Sequence, residues 1–347
     1  MLEHGGKLLQ AAREHGIPLA DWLDLSTGVN PAGWPVPEIP PEVWQRLPED
    51  EDGLIDAACT GYGARHVLAV AGSQAAIQAL PRLFAPGRVG VAHPGYAEHA
   101  QAWRAAGHEV LAVDPAQPDP AGLDVLVLIH PNNPTGQTYD PARLLDWHAR
   151  LAAHGGALIV DEAFMDCTPE HSLAAHAHRP GLVVLRSLGK FYGLAGARVG
   201  FVLAAPTLLA RLEALLGPWT VNGPARRLAR LALQDRAWAQ AARPRLLAAG
   251  ARLAGLLTRH GLAPAGGTAL FQWTLTPRAA ELHAALARQG ILVRRFDAPA
   301  SLRFGLPNAD ADWTRLEGTM KSITSHAASA PSPDAGTPSP PRPAGGE

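Results

Sequence analysis

A lysine and an arginine lie eight residues apart in a segment whose residue types suit an amine held beside an anion. Lys190 ends the run Ser187-Leu188-Gly189-Lys190 and enters a glycine-rich stretch that contains Arg198. The apolar residues before this run predict a buried strand. An amine in that position can form a Schiff base with an aldehyde cofactor, and the arginine can bind the cofactor's phosphate. A surface lysine in a loop is the alternative, and two upstream features weigh against it.

Both upstream features are polar residues at the end of an apolar strand pattern. Val125–Ile129 predicts a buried strand, and the turn Pro131–Gly136, with the sequence PNNPTG, follows it. Such a turn at the carboxyl end of a strand lies where open α/β sheets bind ligands. Ala157–Phe164 contains a second strand pattern, whose apolar residues Ala157–Val160 close on the carboxylate of Asp161. A buried acid needs a cationic partner, which a protonated pyridine nitrogen would supply.

The order of these motifs resembles the fold-type I pyridoxal-phosphate enzymes, and most closely their class I and II aminotransferase branch. The resemblance runs from about residue 4 to about residue 320 and rests on three ordered motifs. It implies an α/β chain with the PLP-dependent transferase fold (fold type I). We therefore expect a mostly parallel sheet covered by helices, a smaller α/β domain, and pyridoxal 5'-phosphate as the cofactor.

The resemblance also implies roles for individual residues. Catalytic roles fall to Lys190, which forms the Schiff base, to Asp161, which pairs with the pyridine nitrogen, and to Tyr96, which stacks on the ring. Asn133 would donate to the phenolic oxygen of the ring. The full cofactor-binding set is Ser73, Gln74, Tyr96, Asn133, Asp161, Phe164, Ser187, Lys190 and Arg198. Ser73 and Gln74 open a predicted helix, whose first N–H groups would bind the phosphate.

Three residues depart from the family's pattern. Phe164 stands where aminotransferases usually carry a tyrosine that hydrogen-bonds the phenolic oxygen, so one donor is lost. Gly189 replaces a hydroxyl residue before the lysine, and Leu47 replaces a tyrosine that reaches the partner subunit's cofactor phosphate. Leu47 and Gly189 leave open a non-catalytic descendant of the family, although such a protein would need none of Lys190, Asp161, Asn133 and Arg198.

The N-terminal segment contains His4-Gly5-Gly6 and then Asp24–Pro31, which enters a proline-rich stretch. Together with Asp161–Asp166, which includes Phe164, this pairing resembles one branch, the threonine-phosphate decarboxylases of cobalamin biosynthesis. The resemblance implies a substrate site formed by His4, Gly28, Asn30, Arg294 and Arg303 for a small phosphorylated amino acid. The reaction would convert L-threonine O-3-phosphate into (R)-1-aminopropan-2-yl phosphate. A histidinol-phosphate-type aminotransferase is the alternative, because the same residues serve both reactions.

Length and composition predict how the protein is organised into domains. At 347 residues and 47% hydrophobic content, the chain can bury a large core. We predict a large PLP-binding domain at 49–220, and a small domain with an N-terminal arm from 1–48 and 221–325. Residues 326–347 are predicted to be a disordered tail. A helical pattern from Pro224 to His260 is expected to break at Pro244, and arginines such as Arg226 to form a solvated face.

Charge and residue usage indicate the class of partner. A formal net charge of −1 predicts no nucleic-acid binding, and no apolar run approaches the ~20 residues of a membrane span. We therefore expect a cytoplasmic protein, and by resemblance a homodimer. His171, His176 and His178 match no zinc signature, so no metal is expected.

Overall fold

The computed structural model describes residues 4–328, with side chains to residue 323, and its strands form two sheets. The strands are β1 (Leu23–Leu25), β2 (Val67–Val70), β3 (Arg88–Ala92), β4 (Glu109–Val113), β5 (Val125–Ile129), β6 (Ala157–Asp161), β7 (Leu182–Ser187), β8 (Gly200–Leu203), β9 (Gly266–Thr268), β10 (Phe271–Leu275), β11 (Ile291–Asp297) and β12 (Ala300–Gly305). The α-helices are α1 (Leu8–His15), α2 (Pro41–Gln45), α3 (Leu54–Tyr62), α4 (Ser73–Ala79), α5 (Ala97–Ala105), α6 (Pro141–Ala152), α7 (Pro206–Leu216), α8 (Gly223–Gln234), α9 (Arg236–Arg259), α10 (Ala279–Arg288) and α11 (Asp310–Ala328).

The larger sheet has the strand order β2-β8-β7-β6-β5-β3-β4 and is parallel except for β8, which runs antiparallel to both of its neighbours. Every residue of β5 and β6 is buried, as expected for parallel strands covered on both faces. Ile129 pairs with Asp161, so the turn after β5 and the acid at the end of β6 meet at one sheet edge. The expected α/β fold is confirmed.

The smaller sheet has the order β1-β11-β12-β10-β9. Arg294 of β11 lies opposite Arg303 of β12 in an antiparallel pair, and directly opposed residues point to the same face of a sheet. Trp273 of β10 pairs with Arg303 from the other side and shares that face. Two guanidinium groups therefore stand side by side on one face of the small sheet.

The two sheets meet through a contact between backbones. A Cβ atom added to Gly136, in the turn after β5, would lie 2.3 Å from the nitrogen of Gly267 in β9. Gly136 also has a positive φ of 72°, which favours glycine. No side chain fits between the turn and β9 at this point.

Two details of the helix prediction were wrong. The helical pattern breaks at Asp235, not at Pro244, because the Asp235 side chain accepts from the Trp238 N–H and begins α9; Pro244 lies inside that helix. Arg226 is not on a solvated face: it is 6% exposed and its Nε donates to Asp52 Oδ2 at 2.7 Å.

The limits of the two predicted domains stay a prediction. Helix α11 continues to Ala328, so the first three residues of the predicted 326–347 tail are helical, and the rest of that segment lies outside the described residues. Among residues 4–328, no helix is long and apolar enough to cross a membrane.

Candidate active site

The loop that carries Lys190 is fastened by the N-terminal segment. Asn30 donates two hydrogen bonds to this loop: its backbone N–H donates to the Lys190 carbonyl at 2.9 Å, and its side-chain Nδ2 donates to the Phe191 carbonyl at 2.8 Å. The Trp34 N–H donates to the Tyr192 carbonyl at 2.8 Å. Asn30, predicted to bind substrate, thus holds the lysine loop with its amide, and its substrate contact stays a prediction.

Lys190 has an amine that loses its proton more easily than an ordinary lysine. Burial lowers its pKa from 10.5 to about 8, with further lowering from the positive charges of Arg303 and Arg198 and an opposing effect from Asp161. The Nζ atom lies 5.5 Å from the centroid of the Phe164 ring. An amine with a pKa near neutrality can act as a nucleophile and can exchange a proton with a substrate carbon.

Asp161 is 3% exposed at the end of β6, and both of its oxygens are held. Oδ1 accepts from the Ala163 N–H at 3.0 Å, and Oδ2 lies 2.9 Å from His99 Nε2. His99 was missed in the sequence, because one histidine among 15 in a helical pattern carries no local signal. The imidazole fixes the carboxylate in one orientation inside the site.

The residues predicted to bind phosphate come together at the start of α4. A Cβ atom added to Gly72 would lie 2.7 Å from an Nη of Arg198, and one added to Gly200 would lie 2.3 Å from the Ser73 nitrogen. The first turn of α4 has no side-chain cap, so its N–H groups can bind an anion. Ser187 lies on the adjoining β7, where its Oγ accepts from the Gly189 N–H at 3.2 Å.

Tyr96 is anchored by a chain of polar side chains. Its hydroxyl donates to Gln74 Oε1 at 3.0 Å, and Gln74 Nε2 donates to Glu98 Oε2 at 3.0 Å. Burial raises the pKa of Tyr96 to about 12, with further raising by Glu98 and Asp161, so the phenol stays protonated. His4 reaches the same chain, with Nε2 2.7 Å from Glu98 Oε1.

Arg303 connects the small sheet to the turn after β5. Its Nη1 donates to Asn133 Oδ1 at 2.5 Å and its Nη2 donates to the Ser26 carbonyl at 2.7 Å. Because Oδ1 of Asn133 accepts from Arg303, its Nδ2 is the group left to donate to a ligand. Burial lowers the pKa of Arg303 to about 10, and neighbouring Arg294 lowers it further while Asp24 raises it.

Gly28 and Phe164 form an apolar wall of the site. A Cβ atom added to Gly28 would lie 2.9 Å from ring carbons of both Phe164 and Phe271. The Phe164 and Phe271 rings themselves meet edge to face at 5.1 Å. Gly28, predicted to bind substrate, therefore lets the N-terminal segment pass directly over this wall.

A buried ion network supports the strand ends. Arg186 of β7 donates to Glu162 Oε2 at 2.8 Å and to Asp166 Oδ1 at 2.5 Å. Burial raises the pKa of Glu162, while Arg186 and hydrogen bonds from Ser172 and Leu173 lower it. Two predicted site residues are sequence neighbours of this network. Asp161, at the end of β6, precedes Glu162, and Ser187, at the end of β7, follows Arg186.

Comparison with known proteins identifies the family. Residues 57–315 match the family described as aminotransferase class I and II. Threonine-phosphate decarboxylase of Pseudomonas aeruginosa is 60% identical over 92% of this chain and 97% of its own length. A histidinol-phosphate aminotransferase of Shewanella amazonensis is 33% identical over 73% of this chain and 76% of its own.

The chain belongs to the class I and II aminotransferase family. Among solved structures, L-threonine-O-3-phosphate decarboxylase from Porphyromonas gingivalis has a TM-score of 0.75 at 20% identity, and the match covers 87% of this chain and 99% of that one. A likeness at that identity supports the fold alone. As a member of the class I and II aminotransferase family, the protein is a PLP-dependent enzyme.

The geometry fits the cofactor of the class I and II aminotransferase family. The glycine-lined start of α4 with Arg198 suits its phosphate, and the buried carboxylate of Asp161 suits a protonated pyridine nitrogen. When bound, pyridoxal phosphate supplies an electron sink for a bond broken at the substrate's Cα. Lys190 is predicted to give or take the proton at that carbon, and Arg303 is predicted to bind an anion of the substrate. The individual roles predicted for these residues stay predictions.

Proposed function

We propose that this protein decarboxylates L-threonine O-3-phosphate to (R)-1-aminopropan-2-yl phosphate, in cobalamin biosynthesis. The observation that carries the proposal is the identity with the Pseudomonas aeruginosa decarboxylase, which extends over nearly the whole of both chains. It is much higher than the identity with the histidinol-phosphate aminotransferase. The reaction is chosen over transamination on this basis, since the residues around Lys190 suit both.

The small sheet supports a substrate with two anionic groups. Arg294 and Arg303 are directly paired across β11 and β12, with both side chains on one face. A carboxylate and a phosphate ester on one amino acid would use two guanidinium groups, each able to donate two parallel hydrogen bonds. Arg303 is buried and already held by Asn133, so its position is set before substrate arrives.

The proposed reaction breaks one bond and forms another at the same carbon. The bond from Cα to the carboxyl carbon breaks, carbon dioxide leaves, and Lys190 donates a proton to Cα. Asp161, oriented by His99, would stabilise a positive charge on the ring of the bound cofactor. No second substrate is consumed, whereas a transaminase needs a keto acid to accept the amino group.

The decisive experiment supplies threonine phosphate to the cofactor-loaded protein in the absence of any keto acid and follows carbon dioxide release. We expect release by the unaltered protein and none by Lys190→Ala. Lys321→Ala is the matched control, since Lys321 is an exposed lysine on α11. A protein that releases no carbon dioxide but converts histidinol phosphate to a keto product once 2-oxoglutarate is added is an aminotransferase, and the proposal is then wrong.

We also propose that the protein is a cytoplasmic homodimer. Large apolar side chains are exposed in the region around α2 and the loop before α8: Trp44 is 65%, Leu47 64% and Trp219 60% exposed. Isolated exposed residues are common, but three large ones in this region favour a partner surface. Sedimentation equilibrium of the unaltered protein and of Trp219→Ser tests the dimer, and a monomeric unaltered protein contradicts it.

A further inference from the structure

A contact between a histidine and a glutamate joins the N-terminal arm to helix α5. His4 lies at the start of the described chain, and its Nε2 is 2.7 Å from Glu98 Oε1 on α5. Glu98 is only 13% exposed at its side chain. Its other oxygen, Oε2, accepts from Gln74 Nε2 at 3.0 Å and from Gln78 Nε2 at 3.1 Å. Glu98 is therefore fixed by two amides on α4 while it holds the histidine.

The N-terminal arm also contacts the segment that directly follows β1 of the small sheet. A Cβ atom added to Gly5 would lie 2.3 Å from the Ser26 carbonyl oxygen, so the two backbones are in direct contact. The Gly6 N–H donates to Ser26 Oγ at 2.8 Å. The same Ser26 carbonyl accepts from Arg303 Nη2 at 2.7 Å. His4 thus stands one residue before a segment fastened to the proposed substrate arginine.

A cavity of about 220 Å³ lies under this arm. The charged and ionisable side chains that line it are His4, Lys7, Glu14, His283, Arg294 and Arg295. Three of these six are lysine or arginine and only one is acidic, so the cavity favours an anion. His4 forms part of its wall, and its position depends on the carboxylate that holds its ring.

We propose that Glu98 is a positioning residue that fixes His4 over this cavity for the phosphate group of the substrate. The inference rests on the proposed function, because it takes that substrate to be a phosphate ester. Glu98 accepts from Nε2 of His4 at 2.7 Å, which fixes the ring and leaves Nδ1 as the ring nitrogen that can donate to the phosphate. The carboxylate acts only through the histidine and makes no contact of its own with the phosphate.

The kinetic test compares Glu98→Gln, His4→Ala and the double variant as cofactor-loaded proteins. Glutamine keeps the size of Glu98 and an oxygen for one amide, but it loses the charge that holds His4. We expect each single variant to raise KM for threonine phosphate about tenfold with kcat within about twofold. The double variant should match His4→Ala alone, because Glu98 then has nothing to position. Glu109→Gln is the matched control, because the Glu109 carboxylate is exposed and lies 3.8 Å from Arg88. This variant should change neither KM nor kcat.

A merely structural role for Glu98 predicts a different pattern. If Glu98 acted only through Gln74 and Tyr96, Glu98→Gln would alter the visible absorbance of the bound cofactor and its effect would add to that of His4→Ala. Unchanged KM in Glu98→Gln, or additive effects in the double variant, overturns the proposal.

A binding measurement separates this inference from the proposed function. Calorimetry with inorganic phosphate on the cofactor-loaded unaltered protein, Glu98→Gln, His4→Ala and the double variant needs no turnover, so it remains informative even if the unaltered protein releases no carbon dioxide. We expect phosphate to bind about tenfold more weakly to Glu98→Gln and to His4→Ala than to the unaltered protein. The double variant should bind phosphate no more weakly than His4→Ala alone. Equal phosphate affinity in the unaltered protein and Glu98→Gln refutes the role of Glu98 whatever the reaction is.

Discussion

Replacing Lys190 should stabilise the cofactor-free protein near neutral pH, although it abolishes activity. The pKa of Lys190 falls from 10.5 to about 8 on folding, mainly through burial. One pKa unit corresponds to about 1.4 kcal/mol, so keeping this amine protonated costs the folded protein roughly 3 kcal/mol. Methionine has a similar length without a charge, so Lys190→Met removes that cost.

The sign of the effect gives it a specific pH dependence. Between about pH 8 and pH 10.5 the unfolded chain holds the proton and the folded protein has lost it, so the stability of the unaltered protein rises with pH in that window. From about pH 7 to about pH 9.5 the gain is about 2 kcal/mol. The advantage of Lys190→Met over the unaltered protein should shrink by the same amount.

Urea unfolding of cofactor-free protein at several pH values, at one protein concentration, measures this difference. Lys7→Met serves as the control, because Lys7 is exposed. A Lys190→Met variant whose stability difference from the unaltered protein does not change with pH would falsify the reasoning, since burial of the amine would then cost nothing.

Three further changes test the site. Arg303→Lys loses the fork that holds two oxygens at once and should lower kcat/KM at least about tenfold in a steady-state assay. His99→Leu leaves Asp161 Oδ2 without its imidazole partner and should weaken cofactor binding about tenfold or more, measured by titration of visible absorbance. Gly28→Ala drives a methyl group into two aromatic rings and should destabilise the fold by about 1–3 kcal/mol, seen as a lower Tm.

Each of these changes has an outcome that contradicts it. Gly196→Ala is the control for Gly28→Ala, because nothing lies within 4 Å of its added Cβ; equal Tm values for the two would show that the wall yields freely. Full activity in Arg303→Lys would mean that one donor suffices, and unchanged cofactor affinity in His99→Leu would mean that Asp161 needs no support.

Strand ends were the part of the molecule that local pattern predicted best. Val125–Ile129 is both the predicted and the observed strand β5, because a parallel strand buried on both faces has an unbroken apolar run. Asp161 likewise ends β6. Polar residues after such runs stand out, so the turn and the acid were visible in the sequence.

Long-range pairings could not be read from the sequence in the same way. The hydrogen bond from Arg303 to Asn133 joins residues 170 positions apart, and no local pattern encodes it. His99 and Glu98 lie on an ordinary-looking helix, and only the fold turns them toward Asp161 and His4. The helix break at Asp235 was misplaced because proline is a stronger local signal than a capping aspartate, although a long helix can accommodate proline when packing supports it.

The glycine contact between the turn after β5 and strand β9 limits how the two sheets can move relative to each other. Gly136 and Gly267 already touch through their main chains, and main chains have no rotamers with which to absorb compression. The contact therefore stops compression at this point: the turn and β9 cannot be pressed closer, so any tightening around a substrate has to come from rotation or sliding about the contact. The residues farthest from this contact would then move most. A pair of spectroscopic labels placed there, one on each sheet, would report such a movement best.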